Sequence, residues 1–399
     1  MANLAILGYG TVGSGVYEVV KTNQALINKR LGAELNIKYV LDLRDFPGDP
    51  VEDVLVHDYE LIVNDPEVDV VAEVMGGIEP AYTFTKRALL AGKSVCTSNK
   101  ALVAEHGTEL MQIAKVKNVN YMIEASCGGG IPIIRPINAS LTGDEMEEVT
   151  GILNGTTNYI LSKMTSEGSD FADVLKEAQD KGYAERNPEA DVEGHDPARK
   201  IAILTSLITG KKVDFEDIYC EGITKVTTED IAYAKKLGLS IKLLATSKKI
   251  GDQYSIMVTP KMLGAAHPLF AVNDVFNAIF VKGNMLGDSM FYGSGAGKLP
   301  TASAVAGDIV EAAKVTGNTG HFWTEEKLAL ADISTVENKF FVRTSASAEE
   351  AKAAFGDIWV MTDVVADEIG FVTEKMTEAA YKECAEKLNG IISMIRVEG

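Results

Sequence analysis

One short segment of the chain concentrates side chains that could move a proton. The residues from 178 to 200 read AQDKGYAERNPEADVEGHDPARK and include Glu185, Asp191, Asp196 and Lys200. Asp196 is a strong N-cap residue and Pro197 suits the first helical position, so a helix is predicted to start here. Lys200 then falls in the first turn, where the positive end of the helix dipole disfavours a charged amine. A lysine so placed beside a carboxylate is a candidate for proton transfer.

The same pattern has a plainer interpretation, a capped helix whose charges are solvated. Both can hold together, because one aspartate can cap the helix and orient the lysine. His195 adjoins the cap, and we interpret it as a packing or hydrogen-bonding residue and not as the base.

The N-terminus predicts a nucleotide site. Residues 2–7 (ANLAIL) form an apolar run of strand length, and a helical pattern begins near Ser14. Between them lies G-x-G-x-x-G, formed by Gly8, Tyr9, Gly10, Thr11, Val12 and Gly13. In a strand–turn–helix context these glycines permit the turn, the approach of a pyrophosphate and close helix packing. The helix N-terminus then carries the anion.

Composition excludes several classes of protein. The 399 residues suffice for two or three domains, and 46% hydrophobic with 24% charged residues is ordinary for a globular protein. A net charge of -19 argues against a nucleic-acid partner and against an anionic membrane surface. The four cysteines are scattered without a C-x-x-C, and neither a signal peptide nor a membrane-spanning run is apparent. We therefore expect a cytoplasmic protein.

Alternating strands and helices over roughly the first 130 residues predict a doubly wound parallel sheet. Strands are expected at 36–43, 69–74, 94–97 and 119–123, with helices at 80–91 and 101–117. A second, mixed α/β domain is predicted over 131–297, with a helix at 131–141 and strands that include 148–153, 215–220, 239–249 and 253–260. The glycine run at 293–297 is either a second anion or cofactor contact or a hinge. It opens a helix of about 298–318 that we expect to complete the first domain.

The last segment, 338–399, has the order β-α-β-β-α-β, which is the ferredoxin-like unit. The predicted fold class is therefore α/β, with a Rossmann-type parallel sheet, a mixed α/β catalytic and dimerisation domain, and this small C-terminal unit.

Four segments together resemble the homoserine dehydrogenase family over nearly the full length of the chain. They are the segment from 178 to 200, GILNGTTNYIL at 151–161, SNKAL at 98–102 and GAGKLPTASAV at 295–305. The resemblance implies reversible reduction of L-aspartate 4-semialdehyde to L-homoserine with NADPH or NADH, on the route to threonine, methionine and isoleucine. It also implies at least a homodimer.

The resemblance assigns roles to individual residues. Lys200 matches the proton donor and Asp196 its partner, while Glu185 and Asp191 match positions that hold the substrate's amino group and hydroxyl. Lys100 matches a second active-site lysine near the nicotinamide and the reacting oxygen. We further predict cofactor contacts at Lys100, Gly182, Glu185, Gly295 and Gly297.

A loop of the sequence, EASCGGGI at 124–131, resembles the family's monovalent cation loop. There Glu124, Cys127, Gly129 and Ile131 would coordinate sodium, largely through backbone carbonyls. Cys127 is unusual at that position, and its thiol is harmless if the carbonyl is the ligand.

Two choices stay open at this point. Asp42 near the end of the second strand could bind a ribose 2′-hydroxyl and favour NAD, whereas Arg44 could pair with the 2′-phosphate of NADP, which we favour. The C-terminal unit resembles an ACT domain, but its turn at 344–349 lacks the glycine that the family's regulatory domains carry, which argues against an effector pocket.

Two alternative functions fit parts of the sequence. One is a phosphorylating aldehyde dehydrogenase with Cys127 as nucleophile, which Glu124 disfavours because a nearby carboxylate raises the pKa of a thiol. The other is a non-enzymatic sensor of a nucleotide and an amino acid, which the combination of lysines and carboxylates argues against.

Overall fold

Six parallel strands form the sheet that the N-terminal pattern predicts. The structure is a computed structural model and describes residues 1–315, 317 and 323–398. The strands are β1 (Ala2–Leu7), β2 (Leu35–Leu41), β3 (Leu55–Val56), β4 (Val70–Glu73), β5 (Ser94–Thr97) and β6 (Tyr121–Met122). Their order in the sheet is β3-β2-β1-β4-β5-β6. This order reverses between β1 and β4, and such a reversal opens a binding crevice at the carboxyl ends of the strands.

Helices cover this sheet because its strands are apolar on both faces, as parallel strands require. All six residues of β1 and all four of β4 are buried. The helices that follow in the chain are α1 (Thr11–Thr22), α2 (Gln24–Leu31), α3 (Glu60–Val63), α4 (Ala81–Leu90) and α5 (Lys100–Lys117). The predicted helix start near Ser14 thus lies three residues too late.

The middle of the chain supplies long antiparallel strands with helices between them. Its elements are β7 (Met146–Ile152), α6 (Gly155–Glu167), α7 (Phe171–Asp180), α8 (Glu189–Val192), α9 (His195–Thr209), β8 (Lys211–Lys212), β9 (Tyr219–Cys220), α10 (Thr228–Leu237), β10 (Leu239–Ile250), β11 (Gln253–Gly264), β12 (Phe276–Gly283) and β13 (Gly287–Ser294). The hairpin of β10 and β11 pairs over twelve residues and forms the centre of an eleven-stranded sheet.

The rest of the chain contains α11 (Lys298–Lys314), β14 (Thr324–Lys327), β15 (Glu337–Thr344), α12 (Ala348–Phe355), β16 (Trp359–Met361), β17 (Ile369–Val372), β18 (Met376–Thr377), α13 (Glu378–Ala385) and β19 (Ile391–Glu398). Helix α11 packs on the parallel sheet: Ala302, Val305 and Ile309 share one apolar cluster with Val16 and Val20 of α1. Of the predicted helix at 298–318, residues 316 and 318 lie outside the described part of the chain.

The C-terminal elements follow the predicted β-α-β-β-α-β order, with β18 as a short addition. Their strands lie in the order β19-β15-β17-β16, and β19 pairs in parallel with β11. The sheet of the C-terminal unit is therefore continuous with that of the middle segment. Sequence order did not predict this continuity, because the pairing of Lys261 with Arg396 joins residues far apart in the chain.

By spatial contacts the chain divides into two units. The first comprises 1–145, 202–215 and 293–328, and the second comprises 146–201, 216–292 and 329–399. The fold class is confirmed, whereas the three-domain division at 1–130, 131–297 and 338–399 stays a prediction.

No helix of the described residues has the length and apolar character needed to cross a bilayer.

Three local predictions differ from the structure. Where a helix is expected over 131–141, the structure has a five-residue π-helical segment at Pro136–Ser140. The residues just before it, Ile133 and Arg135, donate their backbone N–H groups to the Glu124 carboxylate. The strand expected over 215–220 is a 3-10 turn followed by β9, which pairs with two residues of β11. Helix α9 begins at His195, so Asp196 lies inside its first turn.

Candidate active site

A buried ion pair links Lys200 and Asp196, one turn apart on α9. The Lys200 ammonium donates to Asp196 Oδ2 at 2.8 Å and to the backbone carbonyl of Leu153 at 2.7 Å. Lys200 is 8% exposed and Asp196 is 3% exposed. In such a low-dielectric environment each hydrogen bond is strengthened, and the amine is held in one place. The structure thus brings together the two residues that the sequence singled out.

Asn154 connects this pair to a second carboxylate. Its side-chain nitrogen donates to Asp191 Oδ1 at 2.7 Å and to Asp196 Oδ2 at 3.0 Å. Its side-chain oxygen accepts the backbone N–H of Thr157 at 2.9 Å and so caps α6. Both amide hydrogens are used, which fixes the orientation of the amide. The sequence predicts that residues 154–158 form a turn capping a helix from Tyr159, and in the structure the helix begins four residues earlier, at Gly155, directly after Asn154.

Glu185 and Gly182 lie in the connection between α7 and α8. Glu185 is exposed, and its carboxylate makes no hydrogen bond or ion pair with any residue that the structure describes. Its backbone carbonyl accepts from the side chain of Gln179 at 3.0 Å. Gly182 follows the last turn of α7. Their predicted contacts with substrate and cofactor stay predictions.

The glycine fingerprint forms the turn from β1 to α1. A Cβ on Gly13 would lie 1.9 Å from the carbonyl oxygen of Gly8, so only glycine permits this packing. Gly10 is the N-cap residue, and Thr11 and Val12 are the first two residues of α1. Because glycine has no side chain to accept the first N–H groups of the helix, this N-terminus suits an anionic ligand. The residues present therefore fit a dinucleotide.

Asp42 and Arg44, the two residues that could read the ribose, are joined to each other. Arg44 donates from Nε and Nη2 to the two carboxylate oxygens of Asp42, both at 2.9 Å. Asp42 also accepts the backbone N–H of Tyr9 at 2.8 Å. The Arg44 guanidinium holds the pKa of Asp42 well below its usual range, so this carboxylate is ionised at neutral pH. Through its hydrogen bond with the backbone of Tyr9, Asp42 holds the glycine turn in place.

Lys100 is the first residue of α5 at the carboxyl edge of the parallel sheet. The N-cap is Asn99, whose side-chain oxygen accepts the backbone N–H of Leu102 at 3.1 Å. At the start of α11, Gly297 is the N-cap residue, and the carbonyl of Gly295 faces Gly129. These predicted cofactor positions therefore lie at two helix N-termini.

In the predicted cation loop, the carboxylate of Glu124 is used for another purpose. It accepts the backbone N–H groups of Ile133, Ile134 and Arg135 at 2.6, 2.9 and 2.7 Å. Any ligands from this loop would therefore be backbone carbonyl oxygens, which are hard donors suited to an alkali cation.

The loop is also closely packed. Gly129 has φ +58, and a Cβ there would lie 2.4 Å from the carbonyl oxygen of Gly295. Cys127 and Ile131 are buried, at 0% and 1% exposure. Among the described residues no cluster of three His, Cys, Asp or Glu side chains could hold a metal.

A strand–turn–helix unit that fits a dinucleotide and a buried lysine–aspartate pair are features of NAD(P)-dependent oxidoreductases, and comparison with known sequences places the chain among those that act on a CH–OH group. The homoserine dehydrogenase sequence profile matches residues 132–310, and the profile for the NAD-binding domain of homoserine dehydrogenase matches residues 8–124. The chain belongs to the homoserine dehydrogenase family, as the sequence predicts.

Individual relatives agree with this assignment. The homoserine dehydrogenase of Mycobacterium tuberculosis is 40% identical over 430 aligned positions, covering 99% of this chain and 97% of that protein. That of Bacillus subtilis is 42% identical, covering 79% and 75%. The crystal structure of a homoserine dehydrogenase from Thiobacillus denitrificans superposes with a TM-score of 0.91 at 33% identity, covering 100% and 98%. For the Staphylococcus aureus enzyme at pH 6.5 the TM-score is 0.82 at 34% identity, with the same coverage.

Proposed function

We propose that this homoserine dehydrogenase reduces L-aspartate 4-semialdehyde to L-homoserine reversibly, with Lys200 as the proton donor and Asp196 as its partner. The observation that carries the proposal is the buried contact of 2.8 Å between the ammonium and the carboxylate. A lysine that is buried, paired and aimed by a backbone carbonyl can deliver a proton from a defined position.

The residues of this chain account for the proton half of the reaction. When bound, the nicotinamide cofactor supplies the hydride to the aldehyde carbon, or takes it in the reverse direction. The carbonyl oxygen then carries negative charge, and the Lys200 ammonium stabilises it and donates a proton to it. In the reverse direction the neutral amine of Lys200 accepts the hydroxyl proton. Asp196 and the Leu153 carbonyl hold the amine throughout.

The substrate is a zwitterion, so its ammonium group calls for carboxylates. We assign this contact to Glu185, whose exposed carboxylate has no partner among the described residues, and to Asp191, which Asn154 orients. Lys100 at the N-terminus of α5 is assigned to the reacting oxygen and the nicotinamide.

We favour NADP as the cofactor. Asp42 is already engaged by Arg44 and by the N–H of Tyr9, so it is less available to a ribose hydroxyl. Arg44 shares that ion pair, but its side chain is 62% exposed against 10% for Asp42, so its guanidinium can meet a 2′-phosphate from the solvent side. Sodium at the carbonyls of the 124–131 loop would be structural. It would stiffen the chain between β6 and the helix start that Glu124 caps.

We also propose a cytoplasmic homodimer or higher homo-oligomer. The end strand of the large sheet, β13, exposes apolar side chains, with Met290 at 42% and Tyr292 at 54%. Exposed apolar residues on an edge strand are typical of a subunit contact.

The decisive experiment is oxidation of NADPH by aspartate semialdehyde without added phosphate, repeated with NADH. Lys200→Ala should lower kcat at least tenfold and leave the dissociation constant of NADPH within about threefold, because the amine acts on the substrate oxygen. Lys163→Ala, at a partly exposed lysine on α6, is the control and should leave kcat unchanged. Retention of more than a tenth of kcat by Lys200→Ala would remove Lys200 from the mechanism.

A further inference from the structure

A buried carboxyl group lies at the point where the order of the parallel sheet reverses. Glu73 is the last residue of β4, paired with Leu7 of β1 on one side and with Thr97 of β5 on the other. It is 0% exposed. Leu7 precedes the glycine turn, so Glu73 is beside the crevice in which a dinucleotide lies in this fold.

Glu73 joins the loops that follow β4 and β5. One carboxylate oxygen accepts the hydroxyl of Thr97 at 2.5 Å, and the other accepts the backbone N–H of Met75 at 2.9 Å. The Thr97 hydroxyl in turn accepts the backbone N–H of Asn99 at 2.9 Å. The side-chain nitrogen of Asn99 donates to the carbonyl of Gly77 at 2.6 Å and closes the ring.

This ring sets the start of α5. Asn99 is both a member of the ring and the N-cap of α5, and Lys100 is the next residue. A shift at Glu73 would pass through two contiguous hydrogen bonds, from Glu73 to Thr97 and from Thr97 to Asn99, and then through the peptide bond to Lys100. The same shift would move the turn formed by residues 75–77, because Met75 donates its backbone N–H to Glu73.

Burying a carboxyl group at this position is unfavourable in free energy, because the charged form loses its hydration. Burial raises the pKa of Glu73 to about 7, against the opposing effect of the hydrogen bonds from Thr97, Met75 and Asn99. Tyr121 of β6 is an ionisable neighbour of Glu73, and its pKa is raised by its own burial and by the charge of Glu73. Lys100 follows Asn99 in the chain and therefore adjoins the ring. The two donors bond to different oxygens of the carboxylate. An amide has only one oxygen, so a glutamine here could accept from only one of them in this geometry.

We propose that Glu73 is a positioning residue for hydride transfer, holding the 75–77 turn and the start of α5 so that Lys100 meets the reacting oxygen. The proposal rests on the function assigned above. The ionised carboxylate closes the ring, and the protonated acid accepts the two donors more weakly.

The test compares two pairs of variants in homoserine oxidation between pH 6 and 9. Glu73→Gln keeps the size of the side chain, and Thr97→Val removes the hydroxyl that relays to Asn99. Each should lower kcat about tenfold or more, because small misplacements of reacting groups are costly. Each should leave the dissociation constant of NADPH within about threefold. Thr97→Ser keeps the hydroxyl and should retain kcat.

Asp69→Asn is the control, since Asp69 immediately precedes β4, at the end opposite Glu73, and its carboxylate also accepts a backbone N–H, that of Asn3. It should leave kcat unchanged. The acid limb of the kcat profile near pH 7 should disappear in Glu73→Gln and persist in Asp69→Asn.

Two results would overturn the inference. One is an unchanged kcat and pH profile in Glu73→Gln. The other is a loss that Asp69→Asn shares and that follows a fall in Tm. If the wild-type protein itself does not oxidise homoserine, the proposed function fails before the variants are compared, so the two failures are distinguishable.

Discussion

The pair of Lys200 and Asp196 can be tested by removing each partner and then both. Asp196→Asn keeps the shape of its side chain, and Lys200→Met keeps most of the apolar stem. Because the two residues are 8% and 3% exposed, each single change leaves a buried charge without its ionic partner. Such a loss costs about 3–5 kcal/mol of unfolding free energy. We expect about 3 kcal/mol for each, since the Leu153 carbonyl and the Asn154 amide remain as neutral partners.

The double variant removes both charges, so neither is left alone. We expect it to cost about 3 kcal/mol in total, which gives a coupling energy of about 3 kcal/mol. Urea unfolding followed by circular dichroism measures the four free energies. In the same proteins kcat should fall by about a hundredfold or more in Asp196→Asn and further in Lys200→Met.

A pair that is more exposed and has the same spacing provides the control. Lys163 and Glu167 on α6 are 2.5 Å apart, with side chains 23% and 48% exposed. Solvent screens this pair, so its coupling energy should be about 0.3–0.5 kcal/mol. A coupling at Asp196 and Lys200 no larger than that of the control would refute the reasoning, since it would mean that burial does not strengthen this ion pair.

Three further predictions concern other parts of the chain. Glu185→Gln should raise KM for homoserine at least tenfold more than KM for the cofactor in steady-state kinetics, because it pairs with the substrate ammonium; equal effects would point to folding instead. Glu73 has a folded pKa of about 7 against an ordinary 4.5, so the folded state binds its proton more tightly. Relative to Glu73→Gln, the wild type should lose up to about 3 kcal/mol of unfolding free energy as pH rises between these values; parallel pH curves in urea unfolding would contradict this. Removing residues 338–399 should lower Tm by about 10 °C in calorimetry, because buried Asp230 loses the ion pair with Arg343 and β11 loses β19; an unchanged Tm would show that the C-terminal unit is dispensable.

Local sequence predicted the elements whose structure depends on neighbours in the chain. The strand and the glycine turn of the nucleotide site lie where the G-x-G-x-x-G pattern places them, and the helix begins three residues earlier than predicted, because each step needs only a few adjacent residues. Asp196 and Lys200 are four residues apart, so any helix through them brings their side chains to one face. The family followed from long motifs, and the sequence profiles confirm it.

Other parts of the site could not be predicted, because they join residues that are distant in the chain. Asn154 reaches Asp196 across 42 residues, and no local pattern predicts that two helix starts will meet. The ring around Glu73 depends on the register of β4 against β5, which places Glu73 opposite Thr97. A parallel register is set by how helices and strands pack in three dimensions and by no short-range rule.

The C-terminal unit shows the same division. Its order of strands and helices can be predicted from the sequence, because alternating and helical periodicities are local properties. Its attachment to the larger sheet depends on one parallel pairing, β11 with β19, and on Arg396, which contacts Glu221 at 2.7 Å. Backbone N–H and C=O groups are the same in every strand, so the sequence determined which segments became strands, and only tertiary packing decided which strands became neighbours.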